Sequence, residues 1–450
     1  MFKRILIANR GEIALRILRC CREMDIETVV VYSEADEKSL AVMYATEAVC
    51  IGPAKAADSY LNQDVILETA RRTECDAIHP GYGFLSENAE FARACEENGI
   101  VFIGPSSQVI SRMGDKQSAR RLMMASDVPV VPGSKELVNS PEEAAAIAEE
   151  IGYPVLIKAS AGGGGKGIRK IYSPEELKSA YETAKAEARA SFGNDDMYLE
   201  KLIENPHHIE IQILADKEGN TVYLGERDCS IQRNNQKLLE ESPSALIKEA
   251  QRHEMGQTAV RAAKAAGYFS AGTVEFVVDD EGHYYFIEMN TRIQVEHPVT
   301  EELTGIDLVR EQIRIAAGMK LGIIQEEVQM RGHTIECRIN AQTPGVIEFL
   351  HFPNGYGVRI ESHLFAGYEV SPFYDSMVAK IIVSGRTRLE AIRRLRRALE
   401  ELIIDGIETN ASFMHLLTFH PDFIKGKYST AFWENNHEEI EQWRKQGETA

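Results

Sequence analysis

The strongest constraint in this sequence is the way its N-terminal third alternates short, continuous apolar runs with amphipathic stretches. Arg4 to Ala8, Glu27 to Tyr32 and Ala77 to His79 read as strands, and Glu12 to Glu23 and Val65 to Arg72 as helices between them. Strands separated by helices imply a parallel sheet with right-handed crossovers. Ligands of such sheets sit at the carboxyl ends of the strands, where Asn9-Arg10-Gly11-Glu12 and His79-Pro80-Gly81-Tyr82-Gly83 fall. The first of these turns has one glycine. The three-glycine dinucleotide fingerprint is therefore not met, which argues against a nicotinamide or flavin enzyme.

With 450 residues the chain is long enough for two or three packed subdomains, and 44% hydrophobic with 26% charged residues is the composition of a folded globular protein. No apolar run approaches the roughly 20 residues of a membrane span, and Met1 to Leu6 lead straight into a strand pattern without a signal-like preamble. A cytoplasmic enzyme without membrane contact is expected. The net charge of −19 argues against a nucleic-acid surface, so an anionic ligand must be met by a local cluster of cations. The seven cysteines are scattered, with no Cys-x-x-Cys pair and no histidine at zinc spacing, and are expected to be free and mostly buried.

Valine, proline, glycine and serine between Asp127 and Ser140 suggest a linker before a second unit. That unit opens with the strand Tyr153 to Lys158, followed by the run Gly162 to Gly165, Lys166 and Gly167, and a helix from about Pro174 to Ala190. Consecutive glycines let backbone N–H groups approach a phosphate. A Walker loop fails because Gly167 stands where Ser or Thr is needed, which leaves either a glycine flap over a nucleotide, backed by Lys158, or a flexible loop with no ligand. Two later hairpins are expected, Ile209 to Ala215 with Thr221 to Gly225, and Thr273 to Val278 with His283 to Glu288.

The second hairpin carries the sharper chemistry. Glu275 and Glu288 on paired strands, with Asn290, offer hard oxygen donors suited to Mg²⁺. From Glu288 every second residue is polar, through Asn290, Arg292, Gln294 and Glu296, so an extended segment would project them to one side while Ile287, Met289, Ile293 and Val295 are buried on the other. The competing view is a solvated edge strand. Glu226 to Lys237 is dense in charges and amides; it reads equally as a wet loop or as the source of a cation, Lys237, for bicarbonate or phosphate.

These residues resemble the biotin carboxylase family of ATP-grasp ligases over nearly the whole chain. The similarity is densest in Ile7 to Ala14, His79 to Asn88, Met113 to Lys116, the glycine loop and Glu288 to Thr300. The resemblance implies an α/β, ATP-grasp fold: an N-terminal doubly wound (Rossmann-like) domain over 1–114, an ATP-grasp domain over 115–317 with a glycine-flap lid at 130–203, and an α+β C-terminal domain over 318–450. It implies ATP contacts at Lys116, Lys158, Gly164, Gly165, Glu200, Lys201, Ile203, His208, Gln232 and Asn235, and metal ligands at Glu275, Glu288 and Asn290 for Mg²⁺ or Mn²⁺. Lys237, Arg292, Gln294 and the Val295 backbone resemble a bicarbonate site, Glu296 the base that deprotonates bicarbonate, and Tyr82, Gly83 and Arg338 a biotin site.

The implied activity is ATP- and bicarbonate-dependent carboxylation of biotin through carboxyphosphate, as in the first half-reaction of acetyl-CoA carboxylase. No Ala-Met-Lys-Met attachment site is present, so biotin is expected on a biotin carboxyl carrier protein, with carboxyltransferase subunits and a homodimer as further partners. Asn235 stands where the family usually has histidine, and Gln342-Thr343-Pro344 passes almost directly to Gly345-Val346-Ile347 where the family has a longer loop beside the biotin arginine. The competing functions are an ATP-grasp ligase joining a carboxylate to an amine, the biotin carboxylase subunit of another acyl-CoA or urea-type carboxylase, and a catalytically weak ATP-binding homologue.

Overall fold

The computed structural model describes residues 1–134, 136–159, 167–193 and 195–448. Gly164 and Gly165, with the rest of the glycine run up to Lys166, lie outside the described residues. The N-terminal sheet is five-stranded and parallel: β1 (Arg4–Ile7), β2 (Glu27–Tyr32), β3 (Glu47–Cys50), β4 (Ala77–His79) and β5 (Val101–Phe102) in the order β3-β2-β1-β4-β5. Ile5, Leu6, Ile7, Val29, Val30 and Val31 are all buried, because helices cover both faces and every residue of a central strand meets apolar neighbours. The strand order reverses between β1 and β4. Their carboxyl ends therefore open a crevice, and the Asn9 side chain ties it by donating to the Pro80 and Tyr82 carbonyls, each at 2.7 Å. Gly81 takes φ +62°, and an added Cβ would meet the Asn9 amide at 3.0 Å, so both conformation and space call for glycine.

Residues 115–206 with 276–288 form one compact unit, and 1–114, 207–275 and 289–450 form the other. In the smaller unit β6 (Val155–Ala159), β7 (Ile168–Ile171) and β8 (Met197–Lys201) make an antiparallel sheet in the order β7-β6-β8. The helices Pro141–Ile151 and Pro174–Phe192 pack Ala144, Ala148, Leu177, Tyr181 and Ala184 against Val155, Ile157 and Leu199. β8 ends at Lys201, so Ile203 lies beyond the strand.

The largest sheet is made of β9 (His207–Ala215), β10 (Thr221–Arg233), β11 (Gln236–Ser242), β12 (Ser270–Val278), β13 (Tyr284–Asn290), β14 (His333–Asn340), β17 (Val358–Ser362) and β19 (Met377–Gly385), in the order β13-β12-β9-β10-β11-β14-β19-β17. Two ribbons lie beside it, β15 (Gly345–Val346) with β18 (Glu369–Val370), and β16 (Phe349–His351) with β20 (Ile403–Asp405). Alternation divides the β11-β14-β19 region into two faces. Leu239, Cys337 and Ile381 are cross-strand partners and pack into an apolar core with Leu395 and Leu399 of the helix Arg388–Glu401. Glu240 opposite Glu336, and Arg338 opposite Lys380, occupy the other face.

Two expectations fail here. Glu226 to Lys237 is not a wet loop: through Gln232 it is the buried part of a thirteen-residue strand, and Arg227 is 0% exposed. The extended segment from Glu288 stops at Asn290, after which residues 291–296 turn into the helix His297–Thr304. Its apolar side is not uniformly buried either, since Ile287 is 41% exposed while Met289 and Ile293 are buried. All seven cysteines are free; only Cys50 is exposed.

Candidate active site

Strand alternation supplies most of the site. On β9, Ile209, Ile211 and Ile213 enter the core, which sends His208, Glu210 and Gln212 to the opposite face. Arg227, from the neighbouring β10, is buried among them with all its donors engaged. Nε donates to Glu210 at 2.6 Å, Nη1 to Gln212 at 2.7 Å and Thr300 at 2.8 Å, and Nη2 to Thr273 at 3.3 Å and Gln294 at 2.6 Å. Because a guanidinium only donates, it fixes the oxygen of the Gln294 amide toward itself. The Gln294 nitrogen then donates to Glu275 Oε1 at 2.7 Å and Glu210 Oε2 at 3.2 Å.

Lys237 is the centre of charge. Its Nζ lies 2.6 Å from Glu210, 3.1 Å from Glu275 and 2.7 Å from Glu296. Burial works against that charge, but the three carboxylates outweigh it and hold the ammonium well above the usual lysine range. Glu296, 2% exposed, reaches Lys237 through Oε1 and Arg338 through Oε2 at 2.9 Å, and Arg338 also holds Glu240 at 2.6 Å. Burial alone would raise the Glu296 carboxyl; Lys237, Arg338 and Arg227 overcome it and keep it well below the ordinary range. Glu240 goes the other way, raised by burial and by the nearby Glu296 against the pull of Arg338.

Arg292 does not sit on Glu296. Its Nε donates to Glu87 at 2.8 Å and its Nη2 to Asn290 Oδ1 at 3.0 Å, with the side chain 22% exposed. Glu275 Oε1 accepts from Lys237, Gln294 and the Asn290 amide nitrogen, and His208 Nε2 lies 2.8 Å from Oε2 as an ion-pair contact. The Gln232 amide nitrogen lies 2.8 Å from His208 Nδ1. A carboxylate and an amide oxygen are hard donors suited to a divalent cation, which would have to displace Lys237 and His208 from the Glu275 oxygens. Asn290 would have to turn its amide over to offer that oxygen, since Oδ1 now faces Arg292. Glu288 belongs to the smaller unit and stands two residues before Asn290 on β13.

Within the smaller unit Lys158 pairs with Glu200 at 2.6 Å, while Lys116 is exposed at the start of the helix Lys116–Ala125, which Asp115 caps. The Lys201 side chain is spent on the chain itself: Nζ donates to the carbonyls of Gly152 and Tyr153 at 3.0 and 2.8 Å. Asn234 and Asn235 are the two-residue turn between β10 and β11, with φ of +51° and +63°. Asparagine tolerates this left-handed conformation, which is a local reason for the residue at 235, and its side chain is exposed. At the crevice Tyr82 donates its hydroxyl to Glu12, and Gly83 is exposed. The Val295 carbonyl accepts from Lys380 at 2.8 Å.

The sequence reading missed Glu87, Glu210, Arg227, Glu240 and Lys380. Lys380 had a signal, a charged residue within a mostly apolar strand, and Glu210 had one in the alternation of His208, Glu210 and Gln212 with Ile209, Ile211 and Ile213; Glu87 and Glu240 had none that separates them from surface acids.

Three family models match the chain: "Biotin carboxylase, N-terminal domain" over residues 1–110, "Carbamoyl-phosphate synthase L chain, ATP binding domain" over 115–324, and "Biotin carboxylase C-terminal domain" over 336–435. Biotin carboxylase 1 of Bacillus subtilis is 55% identical, over 96% of this chain and 98% of that protein. A pyruvate carboxylase subunit of Methanothermobacter thermautotrophicus is 50% identical, over 96% and 89%. The biotin carboxylase domain dimer of Hydrogenobacter thermophilus 2-oxoglutarate carboxylase, solved with MgADP, ADP and bicarbonate, superposes with a TM-score of 0.91 at 51% identity, covering 98% of each chain.

Proposed function

The chain belongs to the biotin carboxylase family, and from that premise we propose that it uses ATP and bicarbonate to carboxylate biotin borne on a separate carrier protein. The observation that carries this reading is Glu296, held between Lys237 at 2.7 Å and Arg338 at 2.9 Å in a buried cluster. Bicarbonate attacks a phosphoryl group only after losing its proton, and Glu296 is the carboxylate assigned to take it. Its two cations make it a weak base. An entering bicarbonate competes for Lys237, and that exchange raises the proton affinity of Glu296, while Arg338 remains to meet the enolate-like biotin oxygen that forms later. Substrate binding thereby arms the base.

Gln294, held by Arg227, and the backbone at Val295 complete the proposed bicarbonate site with Lys237 and Arg292. Lys116, Lys158, Glu200, Lys201, Ile203, His208, Gln232 and Asn235 are the proposed nucleotide contacts; for Lys201 the backbone is the part left to bind, given where its ammonium goes. A magnesium ion held by Glu275, Glu288 and Asn290 would neutralise phosphate charge during phosphoryl transfer. Tyr82, Gly83 and Arg338 are assigned to biotin.

The resemblance names acetyl-CoA as final acceptor, in fatty acid synthesis, with a carrier protein, carboxyltransferase subunits and a homodimer as the assembly. The relatives named for pyruvate and 2-oxoglutarate carboxylation put 2-oxo acids beside it. The deciding measurement is ATP turnover with bicarbonate and magnesium, with and without free biotin. Stimulation by biotin is expected; stimulation by an amine instead, or ATP binding without turnover, would replace this reading. Copurifying the transferase and offering acetyl-CoA, pyruvate and 2-oxoglutarate identifies the acceptor. Glu296→Gln is expected to abolish bicarbonate-dependent turnover while the ATP affinity stays near normal, and unchanged turnover would remove Glu296 from its role.

A further inference from the structure

Lys380 is a charge buried inside a strand. It lies in β19 at 0% exposure, flanked by Val378, Ala379, Ile381 and Ile382, and directly opposite Arg338 in register. Like charges opposed across two strands repel, and a buried ammonium is costly unless it is paired and hydrogen-bonded. Arg338 is satisfied by Glu240 and Glu296. Lys380 finds Glu12 at 3.0 Å and the Val295 carbonyl at 2.8 Å. Glu336 from β14 and Glu361, its partner on β17, complete the charged groups that face it; together with Glu12 they outweigh the burial that disfavours its charge.

These two bonds reach different parts of the site. Glu12 lies in the first turn of the helix Gly11–Glu23 and accepts the Tyr82 hydroxyl, so it is anchored to the loop after β4. The Val295 carbonyl belongs to the peptide that joins Val295 to Glu296, so a bond to it fixes the plane from which the Glu296 side chain departs. Other bonds hold that turn through its side chains and ends, Thr291 N–H and Arg292 on Glu87, Gln294 on Arg227 and the His297 ring at 2.8 Å from the Gln294 carbonyl, but the Val295 carbonyl itself is held by Lys380.

We propose that Lys380 is a positioning residue: by holding the Val295 carbonyl and Glu12 at once, it locks the turn that bears the base to the loop that bears Tyr82. This role rests on the proposed function. It gives the buried charge a purpose that neutral packing would not serve, because a methionine could fill the same volume yet bind neither group. A small displacement of a base from its proton can cost on the order of a hundredfold in rate.

The test uses the full chain carrying the paired substitution Glu12→Gln with Lys380→Met, which removes both charges together and leaves the Tyr82 hydroxyl an acceptor. The readouts are the melting temperature, the KM for ATP, and kcat for ATP turnover with bicarbonate, with and without free biotin. We expect a folded protein with KM for ATP within about twofold of the parent and kcat lowered by about a hundredfold. Parental kcat, or a loss of ATP binding in step with kcat, overturns the proposal. Should the paired variant fail to fold, Glu12→Leu alone keeps Lys380 bonded to Val295 and removes the oxygen that ties Lys380 to the Tyr82 loop; it is expected to lower kcat by about tenfold at unchanged KM for ATP, and a parental kcat there is equally fatal. If the parent itself shows no bicarbonate-dependent turnover, the functional reading fails first, and that result is distinct from an active parent with an indifferent variant.

Discussion

Arg227 shows how one residue can organise a site without being a candidate to touch substrate. Its donors are divided among Glu210, Gln212, Thr273, Gln294 and Thr300, so the guanidinium fixes a carboxylate beside Lys237 and the amide beside Glu275 together. Replacing one member of a buried ion pair leaves the other uncompensated, at a cost of about 3–5 kcal/mol. Arg227→Met is expected at the lower end, about 3 kcal/mol by urea unfolding, because Lys237 still pairs with Glu210 at 2.6 Å. A loss under about 1 kcal/mol would mean that Arg227 is replaceable by packing. The same residue illustrates the limit of reading roles from composition: in the string Glu226 to Lys237 it looks like one more solvated charge.

At the scale of elements, the hairpin of β10 and β11 explains a departure that the sequence could only flag. Gln232 pairs with Lys237 and Arg233 with Gln236, which leaves two residues, Asn234 and Asn235, for the turn. Two-residue turns matching the twist of their strands need positive φ at both positions, and both asparagines have it. Asn235→Val is expected to destabilise the protein by about 1–2 kcal/mol and Asn235→Gly to be nearly neutral, by thermal or urea melts. Equal effects of the two would show that backbone conformation is not what selects asparagine. The strand that the alternation of Glu288 to Glu296 suggests ends at Asn290, yet Gln294 and Glu296 still reach Glu275 and Lys237. The turn before the helix His297–Thr304 brings them back, and a period of two cannot foresee a turn.

For the whole molecule, two buried histidines contribute a loss of stability in acid. His79 and His363 are driven down to about 3, first by burial and then by Arg16 and Arg10 respectively. His297 is also lowered, by burial and then Lys380. Unfolded histidine titrates near about 6.5. Between that value and 3 the unfolded chain therefore binds protons that the fold refuses at His79 and His363, and stability falls as pH falls, by up to about 1.4 kcal/mol per pH unit for each. Glu241 adds to this lower down: burial raises it, but His333 and Arg388 bring it to about 2, so its stabilisation is lost as pH drops from about 4.5 toward 2. Raised groups such as Glu240 and His208 act in the opposite sense, so the check is the rings themselves: NMR titration should find His79 and His363 still neutral in the folded protein at pH 5, and protonation of either above that pH would contradict the assignment.

By itself the sequence determined the kind of chain this is. Apolar runs alternating with helices specified the parallel sheet, and local motifs singled out Glu275, Lys237 and Glu296, with Arg338 added by the family resemblance, because periodicity and motif spacing are local quantities that a chain carries in its order. Tertiary structure decided which charges meet. Lys237 comes to lie among Glu210, Glu275 and Glu296, and Lys380 between Glu12 and Val295, through strand pairings and turns that join residues distant in the chain. The energy of a buried charge depends on those partners rather than on its neighbours in sequence, so its role becomes readable only once the sheet has been assembled.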